Sequence, residues 1–372
     1  MRPLLAKTFA IIIKVKQLLH HSHPFRIFWF SALITAALGL FVAGQLGVEG
    51  VWLFCILVIL EVTFSFDNAV INSKVLVTMS PFWQKMFLTV GIFIAVFVVR
   101  FLLPIVIVMV AASTGFSDVV DLALSEPAKY SQLLHEAAPM IEAFGGTFLL
   151  MIGLSYFIDR NKKVHWIRGV ERALTRFARL EDIKVSIMLA LVAILYFTVD
   201  SSIQSTVLIA GVLGILLHML LHIFGSLFSS ETAHSVKQKT GWAAFASFLY
   251  LEVLDASFSF DGVIGAFAIT SSVILIIAGL GAGAIWVRSM TVYLMKSGTL
   301  TKFSYLEHGA HWAIMALGMM MLVKLWGVEL PEWATGGIGL VFIGTAIASS
   351  IAEKKAAERA KSQGLIRRLL GR

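Results

Sequence analysis

Glu61-Val62-Thr63-Phe64-Ser65-Phe66-Asp67-Asn68-Ala69 lies inside a long apolar stretch, and its pattern returns at Asp255-Ala256-Ser257-Phe258-Ser259-Phe260-Asp261-Gly262-Val263. In each copy an acid stands six residues before an Asp, with a hydroxyl residue and Phe-Ser-Phe between. A carboxylate inside a bilayer costs about 3 kcal/mol or more, so such residues are rare and mark function by default. A single intramembrane Asp can be a structural hydrogen-bonding residue. Two carboxylates at one spacing in two membrane segments instead point to a paired polar site built by duplication, and a cation is its natural occupant.

The membrane assignment rests on composition. Hydrophobic residues make up 58% of the 372, charged residues only 14%, and the mean hydropathy is +0.88. A soluble domain carries about a quarter charged residues. Apolar runs of about 20 residues, the length that crosses the hydrocarbon core, recur along the chain. The one cysteine, Cys55, excludes an internal disulfide framework and reads as core packing. The net charge of +8 does not imply nucleic acid, because the basic residues cluster in loops and tails as membrane topology requires. Residues 1–26 are too long and too charged for a cleavable signal and read as an amphipathic cytoplasmic segment.

Ten spans are expected, at roughly 27–47, 50–76, 84–112, 140–158, 183–199, 205–227, 243–269, 272–296, 309–326 and 334–351. The basic loop 159–182 and the tail 352–372 hold Arg160, Lys162, Lys163, Arg168, Arg172, Arg176 and Arg179, and Lys354, Lys355, Arg359, Lys361, Arg367, Arg368 and Arg372. With ten spans, both fall on the cytoplasmic side with the two termini, while 113–139 and 327–333 are poor in Lys and Arg. Arg100 and Arg288 each fall in the span after an acidic segment. The fold expected is therefore all-α, a polytopic helix bundle in which 27–199 repeats as 200–351. Five spans is an odd number, so the second copy enters from the opposite side, giving an inverted repeat with its site near the midplane.

On a straight helix, at about 100° per residue, Glu61, Ser65 and Asn68 share a face while Asp67 points about 120° from Glu61. Asp255, Ser259 and Gly262 repeat this, with Glu252 on the same face and Asp261 off it. Two arrangements reconcile the acids. The helices unwind near Ser65–Asn68 and Ser259–Gly262, or one acid of each pair binds the ion while the other neutralises Arg100 or Arg288. The metal ligand set is Glu61, Asp67, Asn68, Asp255, Asp261, Ser65, Ser259 and Glu252. It is oxygen-only, which suits Mg2+, Ca2+ or Mn2+ over Cu+ or Zn2+. Carboxylates that must ionise to bind a divalent ion also permit proton exchange.

The Glu61, Ser65, Asp67 and Asn68 pattern, with Asp255, Phe258, Asp261 and Ala268-Ile269-Thr270, resembles the TerC family of membrane proteins, related to tellurium resistance and manganese efflux. Arg288-Ser289-Met290 and Glu307-His308-Gly309 are similar to its second half. The chain departs from that pattern with Phe64, Phe66 and Phe260, and with Gly262 where Ser is common. The resemblance covers roughly 50–330 and implies Mn2+ export through Glu61, Asp67, Asn68, Asp255 and Asp261. The expected function is thus a secondary transporter of the inner membrane exporting a divalent cation, with no resident cofactor, no nucleic-acid partner and no enzymatic role. The alternatives are an intramembrane aspartyl enzyme using Asp67 and Asp261, and a scaffold that delivers metal to other proteins.

Other candidates have plainer readings. His218 and His222 stand four apart on one helical face, a metal spacing that lacks a third ligand nearby. His308 and His311 read as a solvated helix end, and His20, His21 and His23 as interfacial. Asp200 and Gln204 read as a turn. Gly279, Gly281 and Gly283 read as a packing surface. The 160–184 segment reads as a short amphipathic helix on anionic lipid or as a solvated linker.

Overall fold

The computed structural model of the chain describes residues 24–159, 162, 164–177, 183–227, 238–328 and 331–369. The expected segment 1–26, with its three histidines, lies almost wholly outside these residues. The side chains of Phe260 and Asp261 also lie outside the described ones, although their backbone sits within a helix.

Helices account for nearly all the described residues, and no strand occurs among them. In order they are α1 (Pro24–Phe64), α2 (Phe66–Val77) and α3 (Pro81–Phe93), a π-helix (Ile94–Leu102) and α4 (Leu103–Ala111). There follow α5 (Phe116–Ser125), α6 (Pro127–Glu136), α7 (Ala138–Phe157), α8 (Arg168–Phe177), α9 (Ile183–Thr198) and α10 (Gln204–Leu227). The chain closes with α11 (Gly241–Ile269), α12 (Val273–Ser297), α13 (Leu306–Lys324) and α14 (Glu332–Leu369). Among the described residues seven helices are long and apolar enough to cross a membrane: α1, α3 through α4, α7, α10, α11, α12 and the apolar part of α14. The outer face of α1 carries Phe25, Leu40, Val48 and Trp52, all exposed, a surface that lipid rather than water would cover.

α1 has 41 residues. At about 1.5 Å per residue it is roughly 60 Å long, about twice the hydrocarbon core. Gly47 divides it, with φ 64° and ψ −159°, a conformation that a Cβ would oppose. The segment 113–139, expected as a plain connection, holds α5 and α6. Tyr130 of α6 is buried, with its ring 5.8 Å from that of Phe267 at the end of α11. The basic tail is likewise helical, since α14 continues through it to Leu369.

The first acidic segment is broken only at Ser65, where φ −100° and ψ 15° separate α1 from α2. Hydrogen bonds still bridge the joint, from Ser65 N to Glu61 O at 3.0 Å and from Ala69 N to Ser65 O at 3.1 Å. At Ser259–Gly262, where unwinding was one of the two arrangements open in the sequence, α11 runs unbroken. With no water in the bilayer to take up freed backbone groups, the helix that satisfies them internally wins over the local preference of Ser, Asp and Gly.

The π-helix has an identifiable cause. Pro104 lacks the N–H that would bond Arg100 O, and its ring crowds that carbonyl. The wider turn accommodates it, and Arg100 Nη1 donates to Ala95 O at 2.6 Å within that turn.

The described chain forms two compact units, Met1–Ala138 with Ile223–Thr299, and Pro139–His222 with Leu300–Arg372. Each expected half, 27–199 and 200–351, contributes to both. In the first unit α12 lies directly on α1. A Cβ at Gly279 would stand 2.5 Å from Leu57 Cβ, and one at Gly283 2.5 Å from Glu61 Cβ. Glycines four apart therefore let the two backbones approach. Ser31 Oγ and Ser289 Oγ at 2.7 Å, and Trp286 Nε1 to Thr35 Oγ1 at 2.9 Å, tie the other end of the pair. In the second unit Leu150, Met151, Met188, Val192, Leu195, Val207 and Leu322 form the core.

Candidate functional site

The glycine contact at Gly283 fixes Glu61 against α12 in the buried centre of the first unit. Glu61 is 1% exposed. Its Oε1 receives Ser65 Oγ at 2.8 Å, one turn on, and forms a hydrogen-bonded ion pair with Arg100 Nη2. The signature acid of the second segment is held in the same manner. Arg288 Nη2 donates to Asp255 Oδ2 at 3.1 Å, and the same guanidinium grips Glu252 with both nitrogens at 2.9 Å. The Phe87 ring lies 3.9 Å from Arg288 Cζ, adding a cation–π contact. Gly91 leaves the room this requires, since a Cβ there would be 2.7 Å from Arg288 Nη1.

The two segments meet at one bond. Asn68 Nδ2 donates to Asp255 Oδ1 at 2.7 Å. Gly262 faces Glu61, where a Cβ would stand 3.6 Å from Oε2. Of the two arrangements open in the sequence, the pairing of acids with arginine is the one present for Glu61, Glu252 and Asp255. Asp67 differs. It is 4% exposed, it makes no ion pair among the described residues, and its Oδ1 accepts Asn68 N at 2.9 Å in the first turn of α2. Ser259 is buried, and its hydroxyl has no partner among the described residues.

Four described carboxylates, Glu61, Asp67, Glu252 and Asp255, are thus buried beside two guanidiniums, Arg100 and Arg288. All ionised, they carry a net charge of −2 (four minus two). Among the described residues no group of three or more His, Cys, Asp or Glu side chains stands in metal-binding position, because three of the acids are committed to arginine. An ion here would take Asp67 together with neutral amide and hydroxyl oxygens.

The second unit holds a charge cluster that sequence reasoning missed. Glu171 of α8 is fully buried. It accepts Trp166 N, Ile167 N and Trp312 Nε1 at 3.1, 3.3 and 3.2 Å, and pairs with Lys162 at 3.3 Å. His308 and His311 are buried, not a solvated end. Tyr156 stacks on His311 and reaches His308 Nδ1 at 3.2 Å, while His308 Nε2 meets Val164 O at 2.9 Å. Here α8 is anchored into the unit by its one acid rather than lying as a linker. His218 is buried and 3.3 Å from Ser155 Oγ, but His222 is exposed, and so is Cys55. Asp200 forms the expected turn, accepting Ser202 N at 2.9 Å.

Burial opposes the Glu171 charge, but the Trp312 and backbone hydrogen bonds and the Lys162 ammonium outweigh it and hold the carboxyl below its ordinary value of 4.5. For Lys162 burial is the larger influence and lowers its pKa. A depressed carboxyl stabilises the fold at pH above its unfolded value, and this is lost as pH falls through the folded one. Docking of α8 is therefore expected to hold from pH 7 to 5 and to loosen below about 4.5, the ordinary glutamate range. Hydrogen exchange over Arg168–Phe177, corrected for intrinsic rates, measures it. Glu171→Ala should bring the same loss at pH 7.

The helix lengths, the lipid-facing surface and the buried ion pairs together define an all-helical, multi-pass membrane protein. Within that class, the chain belongs to the family described as "Protein of unknown function (DUF475)", whose model matches residues 66–357. No curated protein and no solved structure matches the chain.

Proposed function

We propose that this chain is a secondary transporter that exports a divalent cation, Mn2+ first, in exchange for protons. The observation that carries this reading is that four described buried carboxylates stand beside only two guanidiniums, which leaves Asp67 without an arginine. A divalent cation balances surplus acid, and so do protons, so the two loads are alternatives at one place. Charge left unbalanced in a membrane interior is too costly to persist. Oxygen-only ligands favour a hard ion. Mn2+ and the outward direction come from the resemblance to the TerC family.

An inverted repeat of ten crossings supports alternating access. In this path α1 counts as two crossings divided at Gly47, and each half pairs its first signature acid with an arginine of the following helix: Glu61 with Arg100, Asp255 with Arg288. In this reading both termini are cytoplasmic, where the basic loop and tail belong, and the protein lies in the inner membrane. Asp67 and Asp261 act as principal ligands, and the arginines neutralise the acids that are not bound.

Purified protein in sealed vesicles, offered Mn2+, Mg2+, Ca2+, Zn2+ and Co2+ in turn with a pH dye inside, tests this. Mn2+ movement with proton counter-movement is expected. Metal binding without flux points to a delivery scaffold instead, and metal-independent peptide cleavage in detergent to an enzyme.

A further inference from the structure

Asn68, Asn72 and Ser259 are 0%, 1% and 2% exposed, yet Asn68 Oδ1, both polar atoms of the Asn72 side chain and Ser259 Oγ have no hydrogen-bond partner among the described residues. An orphaned buried polar group costs roughly 1–3 kcal/mol, and each one demands an explanation. Ser259 is the most telling. Buried hydroxyls elsewhere in these helices satisfy themselves on the preceding turn: Ser257 on Val253 O at 2.9 Å, Thr291 on Val287 O at 2.9 Å, Ser73 on Val70 O at 2.7 Å. Ser259 has the same option and leaves it unused.

The orphans are also aligned. The end of α2 meets the start of α11, where Lys239 N donates to Thr78 O at 2.8 Å and Ser80 N to Lys239 O at 3.0 Å. Seven residues before Asn68 and seven after Asp255, Glu61 faces Gly262. The stretch from Glu61 in α1 through α2 therefore runs antiparallel to α11, with the Asn68–Asp255 bond between these points. Asn72 shares a face with Asn68, and Ser259 shares one with Asp255, each four residues on. Because the helices run in opposite directions, Asn72 lies on one side of the central bond and Ser259 on the other. At about 1.5 Å per residue the row Ser259, Asn68, Asn72 extends roughly 12 Å along the seam, out of about 30 Å of hydrocarbon.

We infer that this seam between α2 and α11 is the track of the transported cation, with Ser259 and Asn72 as neutral oxygen stations on either side of the acidic centre. The inference rests on the proposed transport function and adds the path and two ligands to it. An amide or hydroxyl oxygen replaces a water of a hard cation's shell without trapping the ion. Conduction needs that balance of sites favourable enough to enter and weak enough to leave. The orphaned groups would then be satisfied by the passing ion and its waters.

The test compares Mn2+ flux and melting temperature in detergent for the wild type, Asn72→Leu and Ser259→Ala. Each variant removes an orphan, so its melting temperature should hold or rise. Each should slow initial Mn2+ flux by about tenfold, the worth of one polar contact to a charged group. Asn72→Asp, which keeps an oxygen, should retain flux and change the Mn2+ to Mg2+ ratio. Flux within twofold of wild type in both truncations overturns the track while leaving the transport function standing. A fall in melting temperature with normal flux per folded molecule assigns the residues to structure. A wild type that moves no ion overturns both readings.

Discussion

Asp67→Asn is expected to abolish Mn2+ flux in vesicles while the protein remains folded. Among the described buried acids of the first unit, Asp67 is the one without an arginine, so its charge is the one available to an ion. Asparagine keeps the shape and an oxygen that still accepts Asn68 N, and helix α2 loses little. The charge is another matter. A unit pair at 4 Å is worth about 4 kcal/mol at the effective dielectric of a partly polar protein site. A divalent ion feels twice that, so a loss of at least ~100-fold in flux follows. Asp261→Asn, at the corresponding place in the second segment, should do the same. Unchanged flux in both variants, at unchanged melting temperature, would remove the basis of the transport reading.

The largest effect on stability is expected at Arg288. Its guanidinium serves Glu252 and Asp255 together and stacks on Phe87. Arg288→Ala leaves two carboxylates buried without a counter-charge, and breaking a buried pair costs about 3–5 kcal/mol. That is a large share of the roughly 5–15 kcal/mol that holds a domain together. The variant should fail to yield monodisperse protein. Arg288→Lys should fall between, because an ammonium cannot grip Glu252 with two nitrogens at fixed geometry. The triple variant Arg288→Met, Glu252→Gln, Asp255→Asn should fold again, since it removes the charges as a set. A monodisperse Arg288→Ala protein that melts like wild type would show that the network carries little of the fold.

The sequence is most readable where the solvent is most demanding. The apolar runs mark the long helices because a bilayer accepts little else. Arg100 and Arg288 are identifiable as partners for acids because a guanidinium in lipid has few other options. What escapes is set by contacts between distant residues. Glu171 stands among arginines at 168, 172 and 176 and looks solvated, and nothing local announces that Trp312 and Lys162 enclose it. His308 and His311 begin an apolar helix and suggest a wet end, yet Tyr156 and Val164 cover them. Asn72 lies one turn beyond the acidic signature, outside the repeated pattern, and only its lack of a partner singles it out. The sequence left a break in α11 open because Ser, Asp and Gly signal a turn in water, where freed carbonyls have somewhere to go.

Pro104 has one more effect on the core. The widened turn it imposes carries a surplus residue just where Arg100 leaves the backbone. Tightening that stretch by one register would swing the guanidinium through about 100°, away from Glu61, and would carry Val96 off its contact with Gly281 of α12. The first segment's counter-charge therefore springs from a π-turn whose register fixes its aim, whereas Arg288 leaves an ordinary helix and is clasped by an aromatic ring.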